Sequence, residues 1–370
     1  MQERRVVPGV VPGAFSQAVS AGGLVFVGAV NGIDVSTPGS EAGDIQAQTR
    51  RAIARLQQAL EAAGSSLGQT LSVTVYLRRA SDFDAMNTVY RERFAVEPPA
   101  RTTVVTDLAG GALVEMAATA APNGATREVL HPAGWMKSPR PYSYIVRASG
   151  FVFLAGLVSR RPSDDQTVPG SIGLQTRTIL DNAGALLRAA GLGHRDVAAA
   201  RVFLTDDSMF EAMNNDYRPF FPASPPARAT AITDLMGADA IVEISLIASS
   251  LDPQSFGPTV SPTLPISTGV RAGRIWFLSG VTGDTEATRG DVAAQTREAL
   301  ARIRKTLEAA GLSTSDVAEC TIYMTDIWQA ARVDAVLHEF FPTDPPVRTI
   351  VGSRLAAHDA AVEILVTAVK

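Results

Sequence analysis

Short apolar runs broken by glycine alternate with longer stretches of helical period, and the succession is written three times along the chain. Each pass opens with a strand pair around a Gly turn. These turns are Gly23-Leu24-Val25-Phe26-Val27, Gly150-Phe151-Val152-Phe153-Leu154 and Gly273-Arg274-Ile275-Trp276-Phe277-Leu278. An amphipathic helix follows. In the third pass Val292, Thr296, Leu300, Ile303 and Leu307 recur at helical spacing, and Gly311 stands where a C-terminal cap is wanted. A strand comes next: Val73-Thr74-Val75-Tyr76-Leu77, Ala200-Arg201-Val202-Phe203-Leu204 and Cys320-Thr321-Ile322-Tyr323-Met324. A second, shorter helix leads to Phe94, Phe220-Phe221 and Phe340-Phe341. Two closing strands flank a short loop. The first starts at a Pro-Pro-x-Arg element, and the second contains Val114-Glu115, Val242-Glu243 or Val362-Glu363.

Three unrelated markers fix the repeat. Gln-Thr-Arg begins at Gln48, Gln175 and Gln295; Ala-Ala-Gly ends at Gly64, Gly191 and Gly311; Pro-Pro-x-Arg ends at Arg101, Arg228 and Arg348. All give the same offsets, 127 and then 120 residues. Solenoid repeats run about 20–50 residues; these units have the length of domains. The expected boundaries are 1–124, 125–253 and 254–370, with short Pro-, Ser- and Gly-rich linkers at about 121–139 and 250–265. Three similar domains in one chain imply a closed three-fold arrangement, a homotrimer fused into a monomeric pseudo-trimer. Further self-association is left open.

Composition narrows the function. Of 370 residues 46% are apolar and 19% charged, enough for packed cores. The net charge is −4 and no Lys/Arg cluster sits on an apolar face, so nucleic acid is not an expected partner. The N-terminus is broken by Pro8 and Pro12 and does not read as a signal peptide. No stretch is long enough to span a bilayer, so a membrane is not expected either. The single cysteine, Cys320, excludes a disulfide framework and reads as a small buried hydrophobe. A soluble, reducing, cytoplasmic setting is the expectation.

The repeated arginine and glutamate carry the candidate chemistry. Arg101 precedes Glu115 by 14 residues; Arg228 precedes Glu243, and Arg348 precedes Glu363, by 15. Each Glu lies in apolar sequence on a strand whose two faces are both mostly apolar, so its pKa should rise unless a cation is near. Two readings stay open: a buried structural pair across adjacent strands, or an Arg fork for a substrate carboxylate with a Glu that positions water or moves a proton. Other chemistries fit poorly. His131, His194, His338 and His358 do not recur and lack metal-ligand spacing, so no metal is expected. With only Lys137, Lys305 and Lys370, a Lys mechanism repeated in every unit is excluded by counting.

The chain resembles the Rid family, also called YjgF-like proteins. The resemblance rests on Gly13-Ala14-Phe15-Ser16-Gln17-Ala18-Val19, the Phe26-Val27-Gly28 strand, the Gln-Thr-Arg helix, Asn87 with Tyr90 and Phe94, Pro99-Ala100-Arg101 and Val114-Glu115. It implies an α/β (α+β) chorismate-mutase-like fold, a mixed sheet with two helices on one face, and ligand clefts between neighbouring units. It also implies hydrolysis of reactive enamines or imines such as 2-aminoacrylate to a keto acid and ammonia, without cofactor. Arg101, Arg228 and Arg348 then take the carboxylate-holding position, and Glu115, Glu243 and Glu363 the water-orienting one. The family's tyrosine is matched by Tyr142 alone, with Phe15 and Ile266 in its place elsewhere. Its Asn is matched by Asn87 and Asn214 but is Asp334 in unit three. The polar residue two after the arginine is Thr103 and Thr230, but Ile350 in unit three. The Ser-Gly strand end survives as Ser279-Gly280, against Gly28-Ala29 and Ala155-Gly156. Each cleft should mix residues of two units, and Tyr142, Asn214, Arg228, Thr230 and Glu243 make unit two the first place to look.

The expected partner is therefore a small imine or enamine bearing a carboxylate. A variant takes a larger imine and hydrolyses, isomerises or cyclises it. The alternative is a non-catalytic module that binds small carboxylates or a partner protein. A Ser–Lys ring amidase is disfavoured by the lysine count, and a ribonuclease by the charge.

Overall fold

A computed structural model describes residues 4–9, 15–33, 43–257 and 263–370; Gly13 and Ala14 of the resemblance lie outside them. Three long helices, α1 (Ile45–Ala62), α3 (Ile172–Ala189) and α5 (Val292–Ala309), start on side-chain caps. Asp44, Ser171 and Asp291 accept from the first-turn N–H groups. Their C-caps, Ala63, Ala190 and Ala310, stand one residue before Gly64, Gly191 and Gly311, whose φ values of 81°, 79° and 71° lie in the left-handed region that closes a helix. The shorter helices are α2 (Phe83–Arg93), α4 (Phe210–Tyr217) and α6 (Ala330–Phe340).

The Gln-Thr-Arg marker has a structural reason. Gln48, Gln175 and Gln295 are buried. Their side-chain oxygens accept from the N–H of Leu113 (2.9 Å), Ile241 (3.2 Å) and Ala361 (2.6 Å). Each long helix is thereby tied to the backbone just before the glutamate strand.

In every unit an eight-residue strand is central: Thr70–Leu77, Val197–Leu204 and Val317–Met324. The arginine strand (Ala100–Val105, Ala227–Ile232, Val347–Gly352) runs parallel to it on one side. The glutamate strand (Val114–Ala120, Val242–Ser249, Val362–Val369) runs antiparallel on the other. Arg101 is opposite Val73 and Glu115 opposite Tyr76; Arg228 is opposite Ala200 and Glu243 opposite Phe203; Arg348 is opposite Cys320 and Glu363 opposite Tyr323. Arginine and glutamate of one unit thus flank a whole strand, and the adjacent-strand pair within a unit does not form.

The stretches read as linkers contain strands. Glu128–Leu130 pairs with Ile145–Ala148 at the edge of the second sheet, and Gln254–Phe256 pairs with Gly269–Ala272 in the third. One face of each sheet carries the helices over its own apolar core, exemplified by Leu56, Leu186 and Ile303. The opposite faces meet in clusters shared by all three units, such as Phe26, Phe153 and Phe277. Cys320 is buried, and burial pushes its thiol up.

The units also exchange edges. Asp234–Leu235 pairs with Val104 and Val105 of the first sheet, and Arg354–Leu355 with Ala231 and Ile232 of the second. Asp107 bridges to Gly352 of the third. The contacts run one to two, two to three and three to one, and so close a ring.

Candidate functional site

The same cyclic contact builds three clefts. The strand opened by each arginine lies against the glycine-bearing strand end of the next unit. Gly156 N–H donates to the Arg101 carbonyl (3.1 Å), and Gly280 N–H to the Arg228 carbonyl (3.0 Å). At the third junction Ala29 N–H donates to Thr349 Oγ1 (3.1 Å). A Cβ on Gly156 would overlap Glu243 Oε1, and one on Gly280 would overlap Glu363 Oε1. The glycines therefore bring the glutamate of one unit against the arginine strand of its predecessor.

The first cleft joins Arg101 and Thr103 to Tyr142 and Glu243 around a cavity of about 50 Å³. Arg101 is 4% exposed. Its guanidinium lies 4.8 Å from the Tyr90 ring and 5.8 Å from that of Tyr142. Its Nη1 has no hydrogen-bond acceptor among the described residues, and Asn87 Oδ1, at the repeat position of Asn214, has no donor. Burial lowers the Arg101 pKa, while Tyr90, Tyr142 and Glu243 oppose that shift. The Glu243 carboxyl is pushed up to about 8, by burial above all, against the stabilising Thr103 N–H, Arg101 and Arg160. The shift favours its protonated form near neutral pH.

The second cleft joins Arg228, Thr230 and Asn214 to Ser279, Gly280 and Glu363. Arg228 is 1% exposed; its Nη2 donates to Asn214 Oδ1 (2.5 Å), and its backbone N–H to Ser279 Oγ (2.8 Å). Glu363 is pushed up to about 7 by burial, opposed by the Thr230 N–H and Arg228.

The third cleft joins Arg348 and Ile350 to Phe15 and Glu115. Arg348 Nε stands 3.4 Å from Asp334 Oδ1, and its guanidinium lies 5.0 Å from the Phe15 ring. Glu115 is pushed up to about 7 by burial; Asn31 Nδ2 donates to it at 3.5 Å, and Arg348 also stabilises its charged form.

The five unit-two residues singled out from the sequence divide between two clefts. Tyr142 and Glu243 face Arg101, while Asn214 and Thr230 go with Arg228. The reason is the sheet order, which puts the arginine and glutamate edges of each unit on different neighbours. Sequence reasoning also missed Phe83, Arg140 and Arg160, which line the first cleft together with Gly156. Arg140 sits two residues before Tyr142, so a position-by-position comparison around that tyrosine would have found it.

The match to a known family follows the same three-part pattern. A model of the family described as endoribonuclease L-PSP matches residues 10–122, 135–250 and 258–370. A RutC family protein of Sulfurisphaera tokodaii is 37% identical over 116 residues, 30% of this chain and 93% of that protein. The 2-iminobutanoate/2-iminopropanoate deaminase of Capra hircus is 34% identical over 122 residues, 33% of this chain and 89% of its own. The chloroplastic Reactive Intermediate Deaminase A of Arabidopsis thaliana is 34% identical over 109 residues, 30% of this chain and 58% of its own. Over the whole chain, a chorismatase structure superimposes with a TM-score of 0.57 at 14% identity, covering 93% of this chain and 99% of that one. That likeness is one of fold.

Proposed function

Since the chain belongs to the endoribonuclease L-PSP family, the Rid (YjgF-like) proteins, in three tandem copies, we propose that it hydrolytically deaminates imines and enamines that carry a carboxylate. The reaction is assigned to the Arg101–Glu243 cleft. One observation carries the reading: a buried guanidinium with an unbonded Nη1 and a buried carboxyl, pushed up to about 8, line the same small cavity. The names of the goat and Arabidopsis relatives, both deaminases, support the same class of chemistry.

Arg101 takes the substrate carboxylate through its planar fork, which fixes the imine carbon in the cavity. Neutral Glu243 gives its proton to the imine nitrogen, or to the terminal carbon of an enamine, and an iminium results. The Glu243 carboxylate then takes a proton from water as the water oxygen bonds to the iminium carbon. In the carbinolamine the same proton passes to the amine nitrogen. The C–N bond breaks, the hydroxyl proton returns to Glu243, and keto acid and ammonia leave. One water is consumed. A carboxyl with a pKa near neutrality suits both the acid and the base step.

The second and third clefts enter the proposal unequally. Arg228 holds Asn214 and is fully enclosed, with Ile266 at the tyrosine position. Arg348 already has an anion beside it, Asp334.

The test is steady-state deamination of imines made in situ by an amino-acid oxidase. Arg101→Ala should lower kcat/KM by about ten- to hundredfold, the worth of one charge-assisted contact. Arg228→Ala and Arg348→Ala should cost less. Full activity in the triple variant would overturn the reading, and turnover of none of several imines, with carboxylate binding retained, would favour a binding module.

A further inference from the structure

The first cleft holds more positive charge than one carboxylate needs. Arg140 and Arg160 line the same cavity as Arg101 and Glu243. The Phe83 ring has Arg101 at 5.7 Å and Arg140 at 5.5 Å from its centroid, so two like charges share one aromatic wall. Arg140 correspondingly disfavours the charged form of Arg101.

Neither added arginine is a loose surface side chain. Asp165 Oδ2 lies 2.9 Å from Arg160 Nη1 and 4.0 Å from Arg140 Nη1. The Asp165 backbone carbonyl also accepts from Arg160 Nη1 at 3.0 Å. Asp165 sits at φ 55°, a left-handed conformation that Asp tolerates better than most residues. The short excursion that carries it is tied by Arg161 N–H to Gln166 (2.9 Å) and by the Arg160–Thr167 bridge. The Asp165 carboxylate is 9% exposed by its side chain and serves both guanidinia at once.

Charge counting then decides. Three guanidinia face the cavity. Asp165 compensates one, and Glu243 compensates none while it keeps its proton. A substrate with a single carboxylate leaves one positive charge unmatched in a half-closed, low-dielectric space. At the positions of Arg140 and Arg160 the second cleft has Leu264 and Asp284. The third has Ile33 at the Arg160 position. The Arg140–Arg160 pair is peculiar to the first cleft.

We propose that the first cleft takes a dicarboxylic imine, with one carboxylate on Arg101 and the other held between Arg140 and Arg160, which Asp165 positions. This rests on the Arg101–Glu243 reading for the reaction, but the binding part can be tested without turnover.

The experiment is calorimetric binding of two unreactive acids, glutarate and butyrate, to the full chain, paired with kcat/KM for the imines derived from glutamate and alanine. Glutarate should bind about tenfold more tightly, and the glutamate-derived imine should show the larger kcat/KM by a similar factor. Arg160→Gln and Arg140→Gln should each shrink the dianion-to-monoanion ratio several-fold. Arg160→Lys should keep part of it, which a purely structural role of Arg160 would not predict. Equal affinity for glutarate and butyrate, or a ratio untouched by both glutamine variants, overturns the proposal. If glutarate is preferred in the Arg160-dependent way yet no imine turns over, the deaminase reading falls and the dicarboxylate site stands.

Discussion

Three arginines at one repeat position have three different surroundings, and the surroundings decide what each can bind. Asn214 gives Arg228 a neutral acceptor at 2.5 Å, which orients the fork and leaves its charge unmatched. Asp334 instead sets a carboxylate 3.4 Å from Arg348. An incoming carboxylate must displace or share that ion pair, whose partners are 25% and 28% exposed. Replacement of Asp334 by Asn should therefore raise the number of propionate-binding sites seen by calorimetry by one, or tighten the weakest site about tenfold. The mechanism also fixes a pH dependence. Glu243 acts first as an acid and carries its proton up to about pH 8. kcat/KM for deamination should be level below that pH and fall about tenfold per unit above it. Glu243→Gln should abolish the fall and lower kcat/KM by about a hundred- to ten-thousand-fold. The arginine and glutamate were legible in the sequence because all three copies keep them against an apolar background. Their pairing was not. A spacing of 14 or 15 residues says that both lie on closing strands, but not that a central strand separates them or which neighbour each one meets.

At the scale of the element, the repeat is read best where helix and strand chemistry is local. The long helices, their glycine stops and the strand order within a unit follow from period, caps and turns, and Gly311 lies one residue past the helix cap as its position in the sequence predicts. What stayed hidden are short edge strands such as Glu128–Leu130 and Asp234–Leu235. These have too few residues for a period, and they form only because a sheet edge is offered to them. The strand end at Gly156 belongs to the same hidden class, since its meaning comes from the approach of Glu243. Gly156→Ala should leave the far-ultraviolet circular dichroism unchanged but push Glu243 out of the cleft, costing at least tenfold in kcat/KM. The third junction already carries such a Cβ, at Ala29, and there Glu115 accepts from the Asn31 side chain of its own unit. Normal activity in the Gly156→Ala variant would show that the close approach is dispensable.

For the whole molecule, the consequence of fusion is clearest on the axis. The inner sheet faces enclose a chamber of about 90 Å³. Equivalent positions on the three central strands read Thr74, Arg201 and Thr321, and one step earlier along the same face Ser72, Ala199 and Glu319. A single guanidinium and a single carboxylate thus share the chamber. Arg201 donates to the Ala200 carbonyl (3.3 Å), Glu319 accepts from Thr367 (3.0 Å), and Arg201 stabilises the charge that burial disfavours on Glu319. A homotrimer could not hold this arrangement. Three copies of the second unit would bring three Arg201 guanidinia together, at about 3 kcal/mol of repulsion per pair for roughly 6 Å separation and an effective dielectric of about 20. Three copies of the third would bring together three Glu319 carboxylates. The segment 125–253 expressed alone should therefore fail to form a compact trimer in analytical ultracentrifugation at low salt, while its Arg201→Thr variant, which restores the threonine of the other two units, should trimerise. High salt should narrow the difference only in part, because the chamber is largely closed to counterions. Equal trimerisation of the two segments would mean that the axial charges do not enforce the order of the units, and that the asymmetry of the clefts is maintained by the covalent links alone.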